Sequence, residues 1–184
     1  QKEKHTLIAG VRFQTGESDT RTALEKLPPS LDRYPVTQAH MTDVQRWSLY
    51  AYDHWQVWEP LWLTLGVSYD ALRYPENIDL PPISDDHHDT DLVSPKVGVV
   101  WTPLDSTSLR AAYTRSLGGL YYDTSVRLEP TQVGGFNQAF RSLAPESVVG
   151  LAAGTEFETW SVGLDHRLPT RTNLGVEGEI LRSE

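Results

Sequence analysis

SPKVGVVWTPLDSTSLRAAYTRS, residues 94–116, is the stretch on which the fold turns. Val97, Val99 and Trp101 share one parity, and Lys96, Gly98 and Thr102 share the other. After a short polar break at Pro103 to Ser106, Leu109, Ala111 and Tyr113 alternate with Arg110, Ala112 and Thr114. Alternation at a period of two is the signature of a strand with two unlike faces, and two such runs across a short break form a hairpin. Its apolar face needs a place to be buried. A soluble sandwich, a soluble barrel and a lipid-facing barrel each supply one.

The same period runs through most of the chain. His5–Thr15 sets Leu7, Ala9, Val11 and Phe13 against Thr6, Gly10, Arg12 and Gln14. Val44–Trp58 is aromatic on both parities, with Trp47, Leu49, Ala51, Trp55 and Val57 opposite Tyr50, Tyr52, His54 and Trp58, so its facing is ambiguous. Leu61–Tyr74 is the cleanest run, with Leu61, Leu63, Leu65, Val67, Tyr69 and Ala71 against Thr64, Gly66, Ser68 and Asp70. The quoted hairpin spans Leu92–Ser116. Phe157–Leu168 and Thr172–Leu181 carry Trp160, Val162, Leu164 and Leu174, Val176, Ile180 on their apolar parities. Together these predict about seven strands, several of them longer than the common five or six residues.

The connections are of two kinds. Glu59–Pro60, Thr102–Ser106 and Pro169–Arg171 are tight, whereas about 16–43, 75–91 and 118–155 are long and polar or rich in Pro and Gly. They alternate along the chain, as in an up-and-down meander with one trimmed and one elaborated end. The polar faces are rich in Gly, Ser, Thr, Arg, Asp and Glu, which suits a wet lumen, with Trp58, Trp62 and Trp101 beside the tight turns as an aromatic girdle. A soluble sheet burying the same apolar faces against each other is the competing architecture.

Bulk properties narrow the function. The 184 residues suffice for one domain of ordinary size. A net charge of −9 argues against nucleic acid, whose phosphates require a basic surface. With no cysteine, disulfides and thiolate metal or redox sites are excluded. No apolar run reaches the length of a transmembrane helix, yet a membrane barrel hides its hydrophobicity in alternation. No signal peptide opens the chain at QKEKHTLIAG, so a removed leader or an excised piece of a larger protein is expected.

Four segments resemble the barrel of TonB-dependent outer-membrane receptors. WSLYAYDHWQVWEPLWLTLGVSYDALRY (47–74) and SPKVGVVWTPLDSTSLRAAYTRS (94–116) are similar to two consecutive hairpins of that family. RLEP (127–130) sits near its Pro-Glu motif, and TWSVGLDHRLPTRTNLGVEGEI (159–180) resembles two later strands. The segments cover about half of the chain in the family's order. The resemblance implies an all-β, antiparallel, up-and-down transmembrane barrel, present here as a single partial segment over 1–184. It implies the bacterial outer membrane and solute uptake, with the lipid, further barrel strands, a plug domain or other subunits as partners. The chain departs from the family in the long insertion at 118–155, in carrying no plug or TonB-box region, and in an odd strand count that ends at RSE. A barrel module that anchors or scaffolds a larger assembly without transporting is the alternative.

Candidate chemistry concentrates in two places. Arg12, Arg73, Lys96, Arg110, Asp70, Asp165, Arg167, Glu177 and Glu179 are read as inward residues, able to contact a solute or plug or to pair among themselves. Lys96 and Arg110 lie on facing strands and would repel, which predicts a carboxylate partner such as Asp70. SDDHHDTD (84–91) places Asp85, Asp86, His87 and His88 together, a donor set suited to a divalent ion, although neighbours on a strand point to opposite sides. A solvated loop accounts for the same cluster. Ser116, Ser125, Ser142 and Ser147 lie near scattered His and Asp without a nucleophile elbow, and the GG pairs at 118–119 and 134–135 match no phosphate loop, so neither an enzyme nor a cofactor is expected. FNQAFRSLAPESVVG (136–150) reads as a short helix with Phe136, Phe140 and Leu143 on one side.

Overall fold

A computed structural model describes residues 4–24, 36–76, 84, 86–118, 129–138 and 154–184. Among these residues nine strands follow one another: β1 (His5–Leu24), β2 (Val36–Trp58), β3 (Leu61–Pro75), β4 (His87–Leu104), β5 (Thr107–Leu117), β6 (Gln132–Val133), β7 (Phe136–Asn137), β8 (Glu156–Arg167) and β9 (Asn173–Ser183). Seven form one antiparallel sheet in the order β1-β2-β3-β4-β5-β8-β9, and β6-β7 is a separate hairpin. The sheet is a meander in chain order, as the alternation of short and long connections predicts. β1 and β9 are its two edges.

Alternation sorts the side chains as expected. Leu65, Val67, Val97, Trp101, Trp160 and Val162 are exposed on one face, while Ser48, Thr64, Ser68, Ser94, Lys96, Thr114 and Ser161 are buried on the other. This inverts the soluble arrangement, because the exposed face is apolar and the covered face polar. A soluble sheet would bury the first set, and the two architectures differ most plainly here. On β3 the apolar parity runs from Leu61 to Ala71. That is about 33 Å along the strand, or about 25 Å across a membrane at a tilt near 40°, the height of a barrel's lipid-facing band.

Aromatic side chains bound that band at both ends. Trp58 and Trp101 lie on the exposed face near the tight turns. At the other end Phe13 packs on Trp47 and Tyr113 on Trp160, each pair with ring centroids 4.4 Å apart. Trp62 does not belong to the girdle: it shares the parity of Thr64 and pairs in register with Val100 on the inner face. Asp53 is the exception within the band, and it is met by His5 at 2.8 Å, whose ring stacks on Trp55. Beyond the band the outer face turns polar, with Arg73 3.8 Å from Asp89, His87 3.2 Å from Asp43, and Arg115 bonded to Glu156.

Three expectations about connections need correction. β1 and β2 pair continuously from His5↔Trp55 to Leu24↔Val36, so most of 16–43 is strand and not loop. The stretch Thr15–Thr22 is polar on both parities, so no amphipathic pattern marks it, yet the backbone ladder continues above the apolar band. Similarly β4 begins at His87, inside the segment read as a 75–91 loop. The turn between β4 and β5 is narrower than Thr102–Ser106, since Leu104 already pairs with Thr107.

Candidate functional site

Three cations on the inner face of the sheet, Arg46, Lys96 and Arg110, are each met by a carboxylate. Arg46 on β2 reaches Asp70 on β3 through Nε at 3.1 Å and Nη2 at 2.8 Å, and Nη2 also donates to the Leu117 carbonyl at 3.0 Å. Ser48 donates to the same Asp70 oxygen. Both charges are buried, so their mutual geometry has to offset the loss of hydration. Arg110 on β5 donates to Asp165 on β8 at 2.9 Å and to Glu177 on β9 at 3.4 Å. Lys96 on β4 is 1% exposed; its Nζ donates to the Arg115 carbonyl at 3.1 Å and Ser116 Oγ at 3.2 Å, and lies 3.6 Å from Glu129.

The facing pair Lys96 and Arg110 therefore has acidic partners, as like charges on one hairpin require. The partner is not Asp70, however. Asp70 belongs to Arg46, a residue that the sequence reading leaves out because β2 is ambiguous in its facing. Arg73 also falls on the other side: it follows Ala71 on the apolar parity and points outward toward Asp89. Arg12 lies inward on β1 opposite Ser48, Arg167 is exposed at the tight-turn end of β8, and Glu179 accepts from Ser161 Oγ at 3.1 Å.

Glu129 belongs to the connection between β5 and β8, and residues 129–138 of that connection fold back onto the inner face. The β6-β7 hairpin turns on Gly134 and Gly135, whose φ values of 58° and 82° are those of a tight two-residue turn with both central residues left-handed. The glycines are thus a structural turn. Val133 is 0% and Phe136 3% exposed, and both cluster with Tyr52 and Ala112 of the wall. Phe136 lies under the Arg110 guanidinium at 4.8 Å, and Arg110 Nη1 donates to the Gly135 carbonyl at 3.1 Å. The hairpin approaches so closely that a Cβ on Gly98 would sit 2.7 Å from Gly134 Cα and 2.8 Å from Val133 Cγ1.

The Tyr52 hydroxyl donates to Glu129, and Gln138 Nε2 donates to the Tyr52 oxygen at 3.1 Å and to the Pro130 carbonyl at 2.6 Å. One carboxylate from a connecting segment thus rests on an ammonium and a phenol supplied by two wall strands.

A polar inner wall, an apolar outer band and a meander of this order are the parts of a membrane-spanning barrel. Residues 2–167 match the family model described as TonB dependent receptor-like, beta-barrel. The chain belongs to that family. A comparison with curated protein sequences finds no match. Among solved structures, one titled Copper transporter OprC aligns over 98% of this chain with a TM-score of 0.60 and 15% sequence identity. This chain spans 28% of the length of that one, and identity at this level shows a shared fold.

The remaining candidates can be placed on this TonB-dependent receptor-like sheet. His87 points outward to Asp43, whereas His88 points inward and packs on Tyr74 with ring centroids 5.4 Å apart. Asp86 accepts the Glu76 amide through its carbonyl at 2.9 Å, and Asp85 lies outside the described residues. The two imidazoles are thus on opposite faces, and no group of three potential metal ligands occurs among the described residues. Ser116 is buried and bonded by Lys96, while Ser125, Ser142 and Ser147 lie outside the described residues. Of the helix expected over 136–150, Phe136 and Asn137 are instead strand β7, and residues 139–150 lie outside the described residues.

Proposed function

We propose that this chain forms a sector of the wall of a TonB-dependent transporter in the outer membrane of a Gram-negative bacterium, and that its inner face lines the route of a solute. It carries no catalytic role in this reading. Further barrel strands complete the cylinder along the β1 and β9 edges, a plug domain closes it, and lipid covers the apolar band. The observation that carries the proposal is the inverted face pattern: Lys96, Arg46 and Asp70 are covered while Leu65, Val97 and Trp160 are exposed. A wall of that kind gains stability from lipid outside and supports polar traffic inside. Accumulation of a panel of labelled chelates, oligosaccharides and vitamins tests it, in cells with and without the full-length gene and with TonB disrupted. Uptake of at least one solute that is lost in both deficient strains is expected. Accumulation that is the same in all three strains for every solute overturns the reading.

One observation favours a second reading. The β6-β7 hairpin occupies the inner face, and Arg46, Lys96 and Arg110 each already have a carboxylate partner. A barrel module that anchors an assembly would tolerate such filling permanently. The same uptake experiment separates the two.

A further inference from the structure

The hairpin that folds onto the wall shows what the wall can hold. Lys96 and Tyr52 are fixed in β4 and β2, each strand laddered on both sides. The carboxylate they share comes from Glu129, which lies in no strand. Beside it the same segment presses an aliphatic side chain, Val133, against the floor at Gly98 and Ala112, and an aromatic ring, Phe136, under Arg110. In the register of the sheet Lys96 and Arg110 are four residues apart along β4, because Arg110 pairs with Val100. That is about 13 Å of wall.

We propose that the Lys96–Tyr52 pair is a binding site for the carboxylate of an aromatic or otherwise apolar organic acid, and that Glu129 and the β6-β7 hairpin occupy it as an internal stand-in. This rests on the solute-uptake reading and names the solute class. The ammonium supplies charge, the phenol supplies a directed donor, and Arg110 supplies a cationic face for a ring. The site is built from buried wall residues, so its geometry does not depend on the incoming molecule. Binding of a solute exchanges one carboxylate for another and one apolar contact for another. The wall is never left with an uncompensated buried cation, which would be costly.

The test uses the full-length protein carrying this chain, purified in detergent, with 5-carboxyfluorescein as an aromatic carboxylate probe followed by fluorescence anisotropy. Glu129→Gln removes the internal competitor's charge and leaves Lys96 in place. Its affinity for the probe should rise about tenfold over the native protein, the worth of one charge-assisted hydrogen bond. Adding Lys96→Met to that variant should abolish the gain, and Lys96→Arg should retain most of it. Should Lys96→Met fail to assemble, as judged by loss of heat-modifiable gel migration, Tyr52→Phe in the Glu129→Gln background should still lower affinity. Equal affinity in the native and Glu129→Gln proteins overturns the proposal, as does a gain that survives loss of Lys96 or of the Tyr52 hydroxyl. The uptake reading stands or falls apart from this: a barrel that moves no solute can still bind the probe, and a transporter can fail to bind it.

Discussion

Replacing Gly98 by alanine should lift the β6-β7 hairpin off the wall. The new Cβ would lie 2.7 Å from Gly134 Cα and 2.8 Å from Val133 Cγ1, and nearer still to the Gly134 nitrogen. Ordinary contacts begin near 3.4 Å, so backbone has to move by about 1 Å to clear the nearest of these atoms, and backbone does not yield as a flexible side chain does. Gly134 cannot retreat freely, because its φ of 58° is part of the turn and its neighbours are Ala111 and Gly98 backbone. Val133 and Phe136 together gain about 3–6 kcal/mol from burial, an upper figure for what holds the hairpin down. Overpacking of this kind typically costs about 1–3 kcal/mol, enough to raise the open population about fivefold to a hundredfold without abolishing the seated state. The chain has no cysteine, so a single Val133→Cys substitution reports on seating through its rate of maleimide labelling. That thiol should react slowly in the native background and about fivefold to a hundredfold faster with Gly98→Ala. Gly16→Ala, where a Cβ meets nothing within 4 Å, should leave the rate unchanged. Equal labelling with and without the Gly98 substitution would refute the packing argument.

Other substitutions probe the rest of the wall. Val67→Arg on the outer parity, near the middle of the Leu61–Ala71 band, should block assembly at a cost of about 2–4 kcal/mol, seen as lost heat-modifiable migration. Arg110→Gln should assemble normally, since its partners Asp165 and Glu177 are half-exposed or more and such pairs contribute about 1 kcal/mol or less. Reversed outcomes for these two would mean that the faces are assigned the wrong way round. Arg46→Met leaves Asp70 buried and unpaired and should destabilise the barrel by about 3–5 kcal/mol, whereas adding Asp70→Leu should recover much of that loss in urea unfolding. A double variant no more stable than Arg46→Met alone would contradict the account of this pair.

How much of this was legible in the sequence follows from where physics leaves a pattern. β3 could be read residue by residue, because Leu61 to Ala71 alternates without interruption. β2 could not, because Tyr50 and Tyr52 are inward aromatics that serve the lumen, and they imitate an apolar face. Losing that strand's orientation also hid Arg46, and with it the true partner of Asp70. Chemistry misleads at Arg73 and Trp62: a charge reads as inward and a Trp as lipid-facing, although parity assigns both the other way. The polar extensions of β1 and β2 carry no hydrophobic signal, since above the membrane both faces meet water. The fold-back of 129–138 had one local sign, the Gly-Gly pair between Val133 and Phe136, which is a two-residue hairpin signature. Nothing in the sequence places that hairpin against Tyr52 and Ala112, because the contact joins residues about eighty positions apart at Tyr52 and about twenty at Ala112, and depends on a cavity that exists only once the sheet has curled.

The central claim is that one parity of each strand meets lipid and the other the lumen, and β3 offers the most direct measurement. Single cysteines at 63, 64, 65, 66, 67 and 68 of the full-length protein can each carry a bimane, with its fluorescence recorded in bilayers of brominated acyl chains. Quenching at 63, 65 and 67 with none at 64, 66 and 68 is the predicted result. Quenching at the even positions, or at both parities alike, would contradict it.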